Sequence, residues 1–186
     1  TYLSGVKKLS PGKNIKVKKN KITLSKYWDT NENLISLDKP DSEIIKDFAK
    51  LFYDSVNIRS KIHPKYKISC SYSGGVDSES IRRVLNFLKK NNILKNNFKF
   101  FFLNNTDDIN NTDYNYIKNL KEDNLQLINY SFNSLNTNDI EKCVYFNENV
   151  HDLHLNIYHL YQKISQNGFR IDLAGHGGDE LLGGYA

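Results

Sequence analysis

The run Lys67-Ile68-Ser69-Cys70-Ser71-Tyr72 alternates polar and apolar positions. That period-2 pattern predicts a strand with Ile68, Cys70 and Tyr72 on one face. Further on, Ile81, Val84, Leu85 and Leu88 recur at i, i+3, i+4 and i+7, the apolar stripe of an amphipathic helix. Between the two lies Ser73-Gly74-Gly75-Val76-Asp77-Ser78. Residues 98–103 are apolar but for Lys99, which suits a strand buried on both faces. A polar loop over 106–112 precedes a helix marked by Tyr114, Ile117 and Leu120, and 125–132 reads as the next strand. The stretch 140–166 predicts one long helix with a stripe of Leu153, Ile157, Leu160, Tyr161 and Ile164; Gly168 is its C-terminal glycine. Residues 169–174 form a last strand.

Upstream, 1–28 shows short alternations with turn signals at Gly5, Pro11-Gly12 and Asn20, which predict small strands and a hairpin closed by Tyr27-Trp28-Asp29. Asp41 or Ser42 can cap a helix that reaches about Arg59, with Ile44, Ile45, Phe48, Leu51 and Phe52 on its inner face. His63-Pro64 ends it as a turn. Strands alternating with helices predict a doubly wound, mostly parallel α/β sheet with helices on both faces, preceded by a short β-hairpin segment.

Composition narrows the class. With 186 residues, 39% hydrophobic and 25% charged, the chain can build one modest domain with a real core. No apolar run is long enough for a transmembrane helix and no secretory signal pattern opens the chain. The two cysteines, Cys70 and Cys143, make no disulfide framework and fit a reducing, cytoplasmic compartment; Cys70 is read as a small buried strand residue. The net charge of +5 comes mostly from lysine, the only arginines being Arg59, Arg82, Arg83 and Arg170. The cluster Lys16, Lys18, Lys19 and Lys21 is read as a solvated hairpin, so neither a nucleic-acid nor a membrane partner is expected. The absence of methionine, even at position 1, marks a processed, renumbered or partial chain.

The chemistry sits in two glycine-rich stretches. At a strand-to-helix turn, free backbone N–H groups point outward along the helix dipole. Gly74 and Gly75 permit positive φ and close approach of a phosphate, and Ser73 and Ser78 add hydroxyls. Asp77 repels a phosphate unless a divalent cation lies between them, and Mg²⁺ binds in that way. The loop lacks the lysine of the GxxxxGK[ST] pattern. The second stretch runs from Ala174-Gly175-His176-Gly177-Gly178-Asp179-Glu180 to Gly183-Gly184-Tyr185. In an open parallel sheet, ligands bind at the carboxyl ends of strands, so the two loops can face one ligand, with Asp77 and Asp179 holding Mg²⁺ on its phosphates. Read singly, Asp179 and Glu180 complement a helix dipole, and Gly183-Gly184 is a helix stop. His151 and His154 stand three apart but lack further ligands, and are read as surface or packing residues.

SGGVDS resembles the pyrophosphate loop of the ATP pyrophosphatase superfamily, whose members cleave ATP to AMP and pyrophosphate on an adenine nucleotide alpha hydrolase-like fold. The second stretch resembles the S-G-x-G-x-D-E-x-x-G-G-Y motif of asparagine synthetases and β-lactam synthetases; lysidine and thiouridine synthetases share only the first loop. Gly5 through Asp29 resembles the joint that links a glutaminase domain to the synthetase domain in two-domain asparagine synthetases. The resemblance implies a β-rich joint over 1–40, from a glutaminase-type domain, and the N-terminal part of the ATP-binding domain over 41–186, C-terminally incomplete and inactive alone.

The resemblance also implies that Ser73, Gly74, Gly75, Asp77 and Ser78 bind the pyrophosphate of ATP with Mg²⁺, and that Asp179 joins the metal. It implies that Tyr72 and Phe102 meet the nucleotide through backbone, and that Ala174 and Gly175 lie near the adenylate. The reaction it implies is amide formation. A carboxylate attacks the α-phosphorus of ATP, and an amine, ammonia from a glutaminase domain or another, then displaces AMP. Asparagine synthase of the glutamine-hydrolysing type is the leading assignment, with a homodimer possible for the full-length protein. The family carries glutamate where this chain has His176 and serine where it has Ala174. His176 either moves a proton or donates to the adenylate as a catalytic residue, or simply fills the space. The GHGGD run is similar to lasso-peptide cyclases, which leaves a peptide carboxylate open as the substrate. A non-catalytic nucleotide-binding fragment is the third reading.

Overall fold

The structure is a computed structural model and describes residues 4–33, 38–148 and 154–184. The chain divides into two compact units, 1–47 and 48–186. In the first, β1 (Lys13–Lys18) and β2 (Lys21–Lys26) form an antiparallel hairpin. Ile15 pairs with Leu24 and Val17 with Ile22, so these four share one face, while the pairs Asn14–Ser25, Lys16–Thr23 and Lys18–Lys21 put polar residues on the other. Gly12 closes the base of the hairpin. Its carbonyl accepts the amides of both Tyr27 and Trp28, and its φ of +69° together with a Cβ position only 2.1 Å from the Trp28 carbonyl oxygen leaves room for no other residue.

Helix α1 (Asp41–Ser60) leads into the second unit. There, β3 (Ile68–Ser71), β4 (Phe98–Asn105), β5 (Leu125–Tyr130) and β6 (Ile171–Leu173) form one parallel sheet in the order β5-β4-β3-β6. The connections are α2 (Val76–Lys90), then α3 (Thr112–Lys118), then α4 (Thr137–Asn147) with α5 (Leu155–Gln166); α6 (Gly178–Leu182) follows β6. The expected doubly wound α/β sheet with a preceding hairpin is what forms. From β3 the chain steps one way to β4 and β5, and then returns to place β6 on the other side of β3. The order therefore reverses between β3 and β6, the position where sheets of this kind open a crevice.

Each sheet face has its own core. Ile68, Cys70, Phe98, Phe100 and Phe102 pack with Val56 of α1, Leu85 and Leu88 of α2, and Ile117 of α3. On the opposite face Phe101 and Ile128 pack with Leu160 and Ile164 of α5 and with Phe169. The Phe-rich β4 is buried on both faces because it lies inside the sheet under helices from two directions. A Schellman turn ends α5: Gly168, at φ +80°, donates to Ser165 O, and Phe169 donates to Ile164 O.

Three expectations are corrected. The stretch 140–166 is two helices, not one. α4 ends at Asn147 with Glu148 in the left-handed region, and α5 starts at Leu155; a capping box of Asn136 and Asp139 sets the start of α4. On α1 the buried side is Phe52, Tyr53, Val56 and Ser60, while Ile45, Phe48 and Leu51 are exposed. The sheet meets the C-terminal half of this helix, and an apolar stripe alone does not say which half is covered. Finally, β5 ends at Tyr130, since Phe132 begins a 3-10 turn whose amide, with that of Asn133 and the Ser131 hydroxyl, is held by the Asp107 carboxylate.

One ion network locks α2 to the sheet. Glu79 accepts from Arg82 Nε and Nη2, Arg83 Nε and Tyr72 Oη, and Arg82 Nη1 also reaches Glu122 at 2.6 Å. The Arg82 hydrogen bonds, opposed by burial and helped by Arg83 and Tyr72, hold the Glu79 carboxyl at about 2. Burial first, then the hydrogen bond to Glu79, pushes the Tyr72 phenol up. Because the folded-state value of Glu79 is depressed, its stabilisation is present above the ordinary glutamate range and disappears as pH falls through it. The urea midpoint should therefore drop between pH 4.5 and about 2, and Glu79→Gln should flatten that drop. Parallel curves for the two proteins would refute the role given to Glu79.

Candidate functional site

The first loop begins where β3 ends. Gly74 takes φ +84° and turns the chain against Ile117, whose Cδ1 lies 3.4 Å from where a Gly74 Cβ would stand. Gly75, at φ −69°, needs no left-handed freedom; it is the N-cap of α2 and, lacking a side chain, leaves the first-turn amides uncapped. Those amides have no intrahelical acceptor and carry the positive end of the helix dipole. Ser78 is buried and braces the turn, since its hydroxyl accepts from the Ser73 amide, donates to Gly75 O and lies 3.1 Å from Ser73 Oγ. So of the two serines expected to face a ligand, Ser78 spends its hydroxyl on the loop itself.

The second loop begins where β6 ends, next to β3. Gly177 at φ +91° starts the short α6, and Gly183 at φ +72° stops it. The two loops touch at one side chain. A Cβ on Gly175 would come within 2.7 Å of Asp77 Cβ, and one on Gly178 within 2.5 Å of Asp77 Oδ2. Gly184 is similarly close to Asp179, whose Oδ1 would lie 2.0 Å from a Cβ there. Both carboxylates are thus fitted against bare glycine backbone, and both line the same cleft.

That cleft has a volume of about 620 Å³. Of the residues singled out from the sequence, Tyr72, Ser73, Gly75, Asp77, Ser78, Phe102, Ala174, Gly175, His176 and Asp179 line it. Gly74 is not among the lining residues because it faces α3. Asn111 and Asp113 at the start of α3, and Ile157, Leu160 and Tyr161 of α5, also line it and were not anticipated; so does Ser71. Asn111 was visible in principle as the cap whose side chain accepts the Tyr114 amide. The polar position 172 in an otherwise apolar strand was a second signal, since Asp172 lies under the cleft and burial raises its carboxyl above the usual range.

No lysine or arginine is among the described residues lining the cleft, whereas Asp77, Asp113 and Asp179 are. The described lining is therefore electronegative. The described residues contain no cluster of three or more His, Cys, Asp or Glu side chains able to hold a metal ion. Two carboxylates on the cleft wall, Asp77 and Asp179, are the kind of ligand Mg²⁺ takes when substrate oxygens and water complete its shell. His154 is exposed at the N-cap of α5, and His151 lies outside the described residues.

The fold and cleft define the class: a doubly wound α/β protein with a cleft across the carboxyl ends of two adjacent parallel strands at the reversal of strand order. The chain belongs to the asparagine synthase family, since the family model described as asparagine synthase matches residues 47–186. That places it in a family of ATP-dependent synthetases, ligases by reaction class. No curated protein matches the chain significantly. No helix among the described residues is long and apolar enough to cross a membrane.

Gly74→Ala forces a side chain into the left-handed region and should cost about 1–2 kcal/mol in thermal or urea unfolding. Gly75→Ala, at negative φ, should cost less than Gly74→Ala. The reverse order would contradict the turn geometry described above.

Proposed function

We propose that this chain carries the ATP site of an AMP- and pyrophosphate-forming amide synthetase that adenylates a carboxylate. The observation that carries the reading is the seating of Asp77 against Gly175 and Gly178, which joins two glycine-rich, acid-bearing loops over one cleft. In this reading the first-turn amides of α2 and the Ser73 hydroxyl receive the β- and γ-phosphates, as a helix N-terminus does for an anion. Tyr72, just past the end of β3, and Phe102, within β4, flank the nucleotide, and Ala174 and Gly175 adjoin its α-phosphate. Asp77 and Asp179 would hold Mg²⁺, which neutralises charge on the departing pyrophosphate.

The carboxylate oxygen attacks the α-phosphorus and the α–β bridging bond breaks, giving an acyl-adenylate and pyrophosphate. An amine then attacks the acyl carbon, the C–O bond to the phosphate breaks, and AMP leaves. Both steps are in-line or addition chemistry that needs positioning and electrostatics rather than a covalent enzyme intermediate. Asparagine formation from aspartate, with ammonia from glutamine, is the leading assignment within the family. A peptide carboxylate is the second, and His176, exposed on the cleft wall within the GHGGD run, favours it.

Titrating Mg-ATP into the wild type and Asp77→Ala tests the nucleotide site. The substitution should weaken binding at least about tenfold, roughly 1.4 kcal/mol, with the fold retained by circular dichroism. Equal affinities would remove Asp77 from the site. Aspartate- and glutamine-dependent pyrophosphate release by the full-length protein then tests the substrate, and its absence would count against asparagine formation.

A further inference from the structure

Beneath the cleft lies a polar group that the nucleotide site does not use. Asp172 stands in the middle of β6 between Ile171 and Leu173, in register with Ser69 of β3. Ser71 Oγ donates to Asp172 Oδ2 at 2.6 Å. The other oxygen, Oδ1, is buried and without a hydrogen-bond partner, and among the described residues no lysine or arginine forms an ion pair with the carboxylate. Tyr161 of α5 lines the cleft beside Ser71. The Ser71 hydroxyl thus links the cleft wall to a half-buried carboxylate with one oxygen, Oδ1, shut off from solvent.

Such a carboxylate is an uneconomical structural element. Burying it without a cation is costly, and a neutral side chain of the same shape would satisfy Ser71 equally well. It has spare acceptor capacity and a proton affinity raised by burial, which outweighs the hydroxyl hydrogen bonds and the nearby His176. The titratable groups that face it are the Cys70 thiol of β3, the Tyr161 phenol of α5 and the His176 imidazole of the loop after β6. Burial pushes Cys70 and Tyr161 up, with the Asp172 charge adding to it in each case, so neither competes with Asp172 for a proton near neutrality.

We infer that Asp172, acting through Ser71, is the proton acceptor for the amine in the amide-forming step. This rests on the adenylating reading of the cleft. As the amine nitrogen bonds to the acyl carbon and AMP leaves with the C–O electron pair, the nitrogen must shed a proton. That proton passes to Ser71 Oγ while the Ser71 proton passes to Asp172 Oδ2, and the carboxylic acid later returns it to solvent. Atoms and charge balance without a further reactant. Asp172 touches no substrate; it is a positioning and relay residue, and adenylation, which releases no such proton, does not require it.

The two half-reactions separate the outcomes. In the full-length protein, carboxylate-dependent ATP–pyrophosphate exchange reports adenylation, with L-aspartate, the other proteinogenic amino acids and synthetic peptides bearing aspartate or glutamate side chains as probes. Hydroxamate formation with hydroxylamine reports amine attack. Asp172→Asn should slow hydroxamate formation at least about tenfold more than exchange, within the range that proton transfer contributes. Ser71→Ala should also slow hydroxamate formation, and keeps the test open if the asparagine variant folds poorly. Acting as a base, Asp172 works above its raised value, so wild-type hydroxamate formation should fall as pH drops through that range and the fall should vanish in Asp172→Asn. Equal slowing of both half-reactions, or an unchanged acid limb, overturns the relay and leaves the adenylating site standing. Absence of exchange in the wild type with every amino acid and every carboxylate-bearing peptide overturns the adenylating reading, and the relay with it.

Discussion

The second unit depends on a close approach: the carboxylate of one loop packed against the naked backbone of another. Asp77 can occupy its place only because positions 175 and 178 carry no side chains, and the two loops can meet only because β3 and β6 are neighbours. The strand order supplies that adjacency. It turns one way from β3 to β5 and the other way to β6, so the ends of β3 and β6 are not bridged by a common crossover helix and a cleft stays open between them.

The surroundings make this junction rigid. Phe100 and Phe101 are fully buried on opposite faces of β4, so the sheet resists sliding beneath the loops. Glu79, bonded to Arg82, Arg83 and Tyr72, fixes α2 to the end of β3 and, through Arg82 and Glu122, to the segment that enters β5. Ser78 fixes the turn from within. A helix N-terminus whose amides are uncapped is thereby held still, which is the condition for an anion site that loses little entropy on binding.

The legible parts of the molecule were those written in local sequence. The alternation around Ile68 and the stripe from Ile81 to Leu88 announced a strand and a helix, and the glycines between them announced the turn. The pairing of the two loops followed from the rule that parallel sheets bind ligands at one edge. Long-range packing was less legible. Which half of α1 is covered, and where one long amphipathic stretch breaks into α4 and α5, depend on what the rest of the chain lays against them. Gly74 and Gly75 looked equivalent in the sequence, yet only Gly74 takes a positive φ, because the two occupy different points of one turn. Asp172 showed in the sequence only as a polar residue in an apolar strand, without a spacing pattern; its place beside Ser71 gives it meaning.

The most direct measurement is an anomalous-scattering crystal structure of the full-length protein with Mn²⁺ in place of Mg²⁺ and a non-hydrolysable ATP analogue. One ion should sit within roughly 2.0–2.3 Å of a carboxylate oxygen of both Asp77 and Asp179 and of phosphate oxygens of the analogue. An ion bound by neither carboxylate, or a nucleotide lying outside the cleft between β3 and β6, would contradict the junction on which the proposed chemistry rests.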